Sequence, residues 1–172
     1  IGVRMLSADP NAEIGATFFA EKFKQALSLR EALFGKPYYR LVHAEGDCLP
    51  GLVIDRFGEI CVVQVTTAGM ELLLEPMLAA LDDVIAPVNI VLRNDAPLRA
   101  LEGLDLYVRV AKGSPPAKLL VEENGARYFA NPQSGQKSGW YYDQRDNRAF
   151  MAGLAKDARV LDAYCYTGGF GI

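Results

Sequence analysis

The sequence predicts an α+β domain built on a mixed sheet, followed by the opening part of an α/β domain. Three observations carry that expectation. A stretch with helical apolar spacing leads into three strand-like runs, a helix and a further strand. A proline- and glycine-rich break then interrupts the chain at Ala111–Ala117. The final residues, Val160–Ile172, read as a buried strand running into a glycine turn, a pairing usually followed by a helix.

Taken in order, Ile1, Val3 and Met5 alternate with other residues, so Ile1–Leu6 reads as the last strand of something upstream and is too short to be a domain. After Asp9-Pro10-Asn11 the pattern changes. Ile14, Phe18, Phe19, Phe23, Ala26, Leu27 and Leu33 recur at helical intervals, which predicts a helix over 11–34 ended by Gly35 and Pro37, with the phenylalanines as core. Residues 9–35 thus form a helical connector.

Tyr38–His43 reads as a strand, followed by the polar turn Glu45-Gly46-Asp47. Leu52–Phe57 and Ile60–Thr66 read as a hairpin closed at Gly58-Glu59. Met70–Leu81 has helical spacing with Glu71 and Glu75 on its other face, Val88–Arg93 is a strand, and Pro97–Leu101 is at most a short helix. This order assigns 36–112 to a central strand-rich domain, a mixed sheet with a helix on one face. Asp55, Arg56, Arg93 and Asp95 stand at strand ends, where charges are usually solvated or locally paired, and the lone His43 is given a structural role.

A domain boundary falls in the break, so 113–172 is a separate region. Lys118–Asn124 and Ala126–Ala130 predict a hairpin about Asn124-Gly125. Asp143 can cap a helix running to about Ala155, with Arg145 and Arg148 three residues apart on one face. Lys156-Asp157-Ala158 then leads into a strand at Arg159–Ala163.

At 172 residues and 51% apolar, the chain is long enough for one domain or two small ones with a real core. Its net charge of -3 supplies no overall field for a polyanion, although local basic clusters remain possible. There is no signal peptide at its first residues and no apolar run approaching a membrane span, so the expectation is a cytoplasmic chain without membrane partners. The widely spaced Cys48, Cys61 and Cys165, with His43 as the lone imidazole, predict neither disulfides nor a metal site.

Two stretches carry chemistry. Asn131–Arg148 crowds glycines, three aromatics and alternating charges into one segment, and Val160–Gly171 ends a strand with an acid and then places two adjacent glycines. One helix joins them, so they can meet in space. Together they offer glycine backbone on one side and aromatic faces, a carboxylate and a guanidinium on the other. An adenine-bearing ligand fits those parts, since stacking on an aromatic ring contributes on the order of 1–3 kcal/mol and a guanidinium can hold a carboxylate through two parallel hydrogen bonds. The residues equally allow Trp140, Tyr141 and Tyr142 to pack the domain while Asp143 and Arg145 serve as helix cap and surface charge. A dinucleotide fingerprint is opposed by spacing, because Gly168, Gly169 and Gly171 make G-G-x-G instead of G-x-G-x-x-G, and a phosphate loop lacks its Gly-Lys-Ser/Thr triplet.

Gly135–Arg148, with Val160-Leu161-Asp162 and Tyr166-Thr167-Gly168-Gly169-Phe170, resembles the S-adenosylmethionine-dependent ribosomal RNA large-subunit methyltransferases, the family of bacterial 23S rRNA 5-methylcytosine enzymes. Tyr39–Asp47, Leu49–Arg56 and Arg93-Asn94-Asp95 are similar to that family's central domain, so the likeness covers nearly the whole chain. It implies three parts: an RNA-binding PUA domain whose tail would be residues 1–8, the central domain, and a Rossmann-like class I methyltransferase domain, present here as a truncated beginning. It implies S-adenosylmethionine as cofactor and 23S rRNA as partner, and it admits a homodimer. By the same likeness Asp162, Tyr166, Thr167, Gly168 and Gly169 fall on the cofactor loop, and Lys137, Tyr142, Asp143 and Arg145 on the segment before it.

Departures from the family pattern are mild: Ser138 where threonine is common, Trp140 where phenylalanine or tyrosine is, and Cys165 where serine is. The ribose-binding acid, the Asp-Pro-Pro-type motif and the cysteine nucleophile of such enzymes have no counterpart in these residues. Cytosine C5 becomes nucleophilic when a thiolate adds at C6, and Cys165 is a poor substitute, lying within the presumed cofactor loop with no histidine or lysine beside it. The chain as printed is therefore expected to be inactive, with no catalytic residue of its own. Two other readings stand beside this one: a non-catalytic RNA-binding or assembly module, and a methyltransferase acting on another base.

Overall fold

The computed structural model describes residues 3–171 and divides into two compact units, Ile1–Pro115 and Pro116–Ile172. The first unit holds α1 (Ala16–Leu33), β1 (Tyr38–His43), β2 (Leu52–Phe57), β3 (Ile60–Val65), α2 (Ala68–Leu72), α3 (Leu74–Ile85), β4 (Asn89–Asn94) and β5 (Tyr107–Lys112). Its sheet runs in the order β1-β2-β3-β4-β5. All neighbours are antiparallel except β3 and β4, which pair in parallel, with α2 and α3 making the crossover between them. This is the expected mixed sheet. The β2–β3 register pairs Phe57 with Ile60 across Gly58-Glu59, as the hairpin reading requires.

Alternation along the strands places Leu52, Ile54, Cys61, Val63, Val65, Ile90 and Leu92 in the buried core. Phe19, Phe23 and Ala26 of α1 and Met77, Ala80 and Leu81 of α3 complete it. Both helices read from the sequence therefore contribute to the core, the phenylalanines of α1 as expected. Pro97–Glu102 forms a 3₁₀ turn, as short as expected.

Helix α1 begins at Ala16, five residues after the expected start, because an Asx turn, Asn11 N–H to Asp9 Oδ1 at 2.9 Å, and extended Gly15 precede it. The helix expected over 70–81 breaks at Leu73. Pro76 explains the break: it has no N–H, and its ring would collide with the carbonyl of Leu72 four residues earlier if one helix ran through. Thr67 caps the first piece, Oγ1 accepting from Met70 N at 3.4 Å. β5 was not among the expected strands, although Val108 and Val110 show its alternation. Residues 3–5 have no regular structure, so they form no upstream strand, and Ile1 and Gly2 lie outside the described residues.

The strand-end charges are locally paired. Arg40 holds the fully buried Asp55 with two bonds of 2.8 and 3.1 Å, Arg56 donates to Tyr39 Oη and Gly58 O, and Arg93 pairs with Asp95. His43 is exposed, and its backbone N–H is held by Asp47 Oδ2.

The second unit holds β6 (Leu119–Glu123), β7 (Ala126–Ala130), a 3₁₀ turn at Tyr142–Gln144 and α4 (Arg145–Leu154). β6 and β7 form the expected hairpin, with Asn124 (φ 52°) and Gly125 (φ 83°) both left-handed as a two-residue Asn-Gly turn requires. Two expectations are corrected here. Asp143 does not cap α4, which starts at Arg145 after Gln144 without a side-chain cap. The strand expected at Arg159–Ala163 does not form, and the buried strand expected from Val160 is solvent-facing: Val160 is 57% and Leu161 90% exposed. A strand exists through its ladder, and in this unit the described strands β6 and β7 pair with each other.

Candidate functional site

The second unit is organised around a buried acid. β6 turns Leu119, Val121 and Glu123 inward, so the alternation that buries two aliphatic side chains also buries a carboxylate. An unpaired charge there would be costly. Glu123 receives three donors: Trp140 Nε1 at 3.1 Å, Arg145 Nε at 3.4 Å and Arg148 Nε at 2.6 Å. The three-residue spacing of the arginines on α4 brings both guanidinium groups to it.

Trp140 is buried against Tyr128, ring centroids 4.6 Å apart, with the Arg148 guanidinium 4.4 Å above its own ring. Tryptophan at this position is thus explained by its indole N–H, which a phenylalanine lacks. Burial, followed by the nearby Glu123 charge, holds the Tyr128 hydroxyl above its ordinary pKa, against the opposing pull of Arg148.

The loop before Trp140 is built on Asn131, whose Oδ1 accepts from Gln133 N and Ser134 N at 2.9 Å. Gly139 has φ 103°, and a Cβ there would stand 2.6 Å from Asn131 O, so the residue has to be glycine. Tyr166 ties this loop to the glycine turn: its Oη accepts from Gln136 N at 2.9 Å and donates to Gly139 O at 3.4 Å. The turn is closed by Gly168 N to Cys165 O and Gly171 N to Gly168 O, with Gly168 at φ 74°. Gly169 packs on the aromatic floor, where a Cβ would lie 3.2 Å from Trp140 Cη2 and 3.3 Å from Arg148 Cδ.

Between loop and turn lies a cavity of about 340 Å³, lined among others by Gln136, Trp140, Tyr141, Arg148, Asp162 and Tyr166. That size suits a small-molecule ligand. Asp162 Oδ2 is buried with no hydrogen-bond partner, an unsatisfied acceptor in the wall of an otherwise aromatic and glycine-lined space.

Of the residues singled out from sequence, Asp162, Tyr166, Thr167 and Gly169 reach the cavity wall and Gly168 lies in the same turn. Lys137, Tyr142, Asp143 and Arg145 stand outside the lining. Lys137 Nζ sits 4.4 Å from the Tyr141 ring centroid and 4.0 Å from Asp143 Oδ2, Tyr142 is buried, and Arg145 reaches Glu123 and the Tyr142 ring. Gln136, Tyr141, Arg148 and Phe170 also line the wall, although the sequence reading placed none of them among the cofactor-contacting residues, and Glu123 was missed behind it. The signal for Glu123 was an acid at an inward position of an alternating strand.

No protein-family model matches the chain. Among curated proteins, it is 38% identical over 174 residues to ribosomal RNA large subunit methyltransferase I of Pseudoalteromonas atlantica, covering 99% of this chain and 44% of that protein. The same-named proteins of Shewanella amazonensis and an Escherichia coli strain are 39% and 37% identical over 176 residues, again with 44% of their length covered. The chain resembles part of a methyltransferase, end to end. It spans less than half the length of these relatives. Among solved structures, a candidate SAM-dependent methyltransferase from Streptococcus mutans superposes with a TM-score of 0.79 at 22% identity, over 97% of this chain and 43% of that one. A candidate methyltransferase solved in complex with SAH gives 0.77 at 21% identity, over 94% of this chain and 42% of that one. These structural likenesses establish the shared fold.

Proposed function

We propose that this chain belongs to an S-adenosylmethionine-dependent RNA methyltransferase acting on large-subunit ribosomal RNA, and that its second unit carries part of the methyl-donor site. The observation that carries this reading is the whole-chain likeness to ribosomal RNA large subunit methyltransferase I, at 38% identity in the Pseudoalteromonas protein. The geometry supports it. A cavity of about 340 Å³ with an unsatisfied carboxylate oxygen, aromatic faces and a glycine turn suits a ligand that has a flat base and a cationic group.

In this reading Asp162 faces a positive group of the cofactor, Gly169 keeps the wall clear of side chain, and Tyr141 with Tyr166 offers ring faces. Bound S-adenosylmethionine would supply an electrophilic methyl group. The chain's own residues bind it, orient it and exclude water from it. The acceptor we assign is C5 of a cytosine. None of the three cysteines is assigned as its nucleophile: burial pushes the Cys61 thiol up to about 12, leaving it neutral at physiological pH, while Cys165 lies in the wall of the donor cavity itself and Cys48 belongs to the first unit. The 172 residues alone are accordingly expected to bind cofactor weakly and to transfer no methyl group.

Calorimetric titration with S-adenosylhomocysteine and, separately, with a ribosomal RNA fragment tests the proposal. Saturable one-to-one heat with the cofactor product supports it. RNA binding indifferent to cofactor, with no cofactor heat, would support a non-catalytic RNA-binding module instead.

A further inference from the structure

The two edges of the first unit's sheet differ. β1 is kinked by a bulge between Arg40 and Val42 and buries Tyr39, Leu41 and Val42, the usual way of blunting an edge. β5 is open. Its residues 108–111 are all exposed, and among the described residues no strand pairs with its far side. Leu106, Val108 and Val110 fall on one face and are 53%, 43% and 39% exposed. They end a buried row, since Val62 pairs with Val91 and Val91 with Val110, the first two fully buried. An uncovered edge with an apolar stripe is a template for another strand unless charge guards it. The two cations of β5 are already engaged: Lys112 pairs with Asp82, and the Arg109 guanidinium lies 5.8 Å from the ring centroid of Tyr107 in its own strand.

We propose that β5 is a self-association edge whose occupant is β5 of a second copy, joined antiparallel about a two-fold axis through Val108, so that two five-stranded sheets run on as one. The order of residues around Val108 selects a copy of this chain. A two-fold axis normal to the sheet sets residues of the same face opposite each other and passes through one residue of the strand. With Val108 on the axis, Leu106 meets Val110 of the partner subunit and Tyr107 meets Arg109 of the partner subunit, each pairing made twice. The apolar stripe becomes continuous on one face, and each guanidinium gains a second ring on the other. Moving the axis to Arg109 opposes two guanidinium groups and sets Leu106 against Lys112 of the partner subunit. Moving it to Val110 sets Val108 against that same lysine. The strand therefore matches itself in one register.

Sedimentation velocity of the intact chain over a concentration series is expected to show a reversible monomer–dimer equilibrium, with a dissociation constant on the order of 10 µM because one strand edge buries less than a standard interface. Val108→Lys places like charges opposite each other on the axis and should weaken dimerisation about tenfold or more. Its circular dichroism should match the wild type, because the side chain is exposed. Crosslinking reads the register in a Cys48→Ser, Cys165→Ser background, where the remaining Cys61 is buried. Val108→Cys lies opposite itself and should give a disulfide-linked dimer on air oxidation. Lys112→Cys, roughly 26 Å from its symmetry mate at about 3.3 Å per residue, should not. A chain that sediments as a monomer up to about 100 µM overturns the proposal. So does a dimer that Val108→Lys leaves intact, or one that Lys112→Cys crosslinks as readily as Val108→Cys.

Discussion

Arg148 Nε donates to Glu123 Oε1 at 2.6 Å, and both side chains are buried. The pair links β6 to α4, and because Trp140 and Arg145 share the same carboxylate, removing its charge affects three elements together. Breaking a buried pair by neutralising one partner leaves the other charge uncompensated. Glu123→Gln is expected to destabilise the second unit by about 3 kcal/mol. Trp140 is the chain's only tryptophan, so urea unfolding followed by its fluorescence reads this unit selectively.

Gly139→Ala should be nearly as damaging, for a backbone reason. Its φ of 103° is unfavourable for an L side chain, and the new Cβ would meet Asn131 O at 2.6 Å. A loss on the order of 2 kcal/mol is expected, read by the same fluorescence transition. Gly153→Ala, in the exposed part of α4 with nothing within 4 Å of the added carbon, is the control and should be neutral or stabilising.

In the first unit, Cys61 links stability to alkaline pH. Burial raises its thiol from an ordinary value of 9.0 to about 12, Arg56 opposing and Asp55 adding to the rise. The contribution is fully present below the unfolded value and is lost as pH rises from there towards the folded one, because the unfolded chain releases the proton first. Tyr39 and Tyr107, also raised chiefly by burial, act in the same direction at higher pH. Roughly 2 kcal/mol should disappear between about pH 9 and 10.5. Denaturant midpoints at the two pH values should converge in Cys61→Ala, whatever that variant's lower baseline.

The same burial predicts selective alkylation. In the folded chain, iodoacetamide should modify the exposed Cys48 and Cys165 and spare Cys61, with the third site appearing in denaturant. Peptide mass mapping reads the pattern, and early modification of Cys61 would show that the core of the first unit opens.

Much of the first unit was legible because its signals are local. The Gly58-Glu59 turn, the alternation of Leu52 and Ile54, and the spaced phenylalanines of α1 each report burial on their own. Pro76 was visible too, but its effect falls on a carbonyl four residues earlier, so apolar spacing alone ran the helix through it. The expected strand at Arg159–Ala163 failed for a different reason: an apolar run records a preference, and a strand needs a neighbour to pair with. At the candidate site the glycine turn and Asp162 could be read directly. Glu123 could not, because its meaning depends on two arginines more than twenty residues away meeting it in space.

The most direct measurement follows the single Trp140 indole N–H in a ¹H–¹⁵N spectrum during titration with S-adenosylhomocysteine. Its ring lines the cavity while the N–H itself donates to Glu123 behind the wall, so the account predicts one saturable shift of this resonance, lost in Gly169→Leu. A resonance that stays in place while calorimetry records binding, or a chain that binds nothing at millimolar ligand, would contradict a methyl-donor site at this cavity.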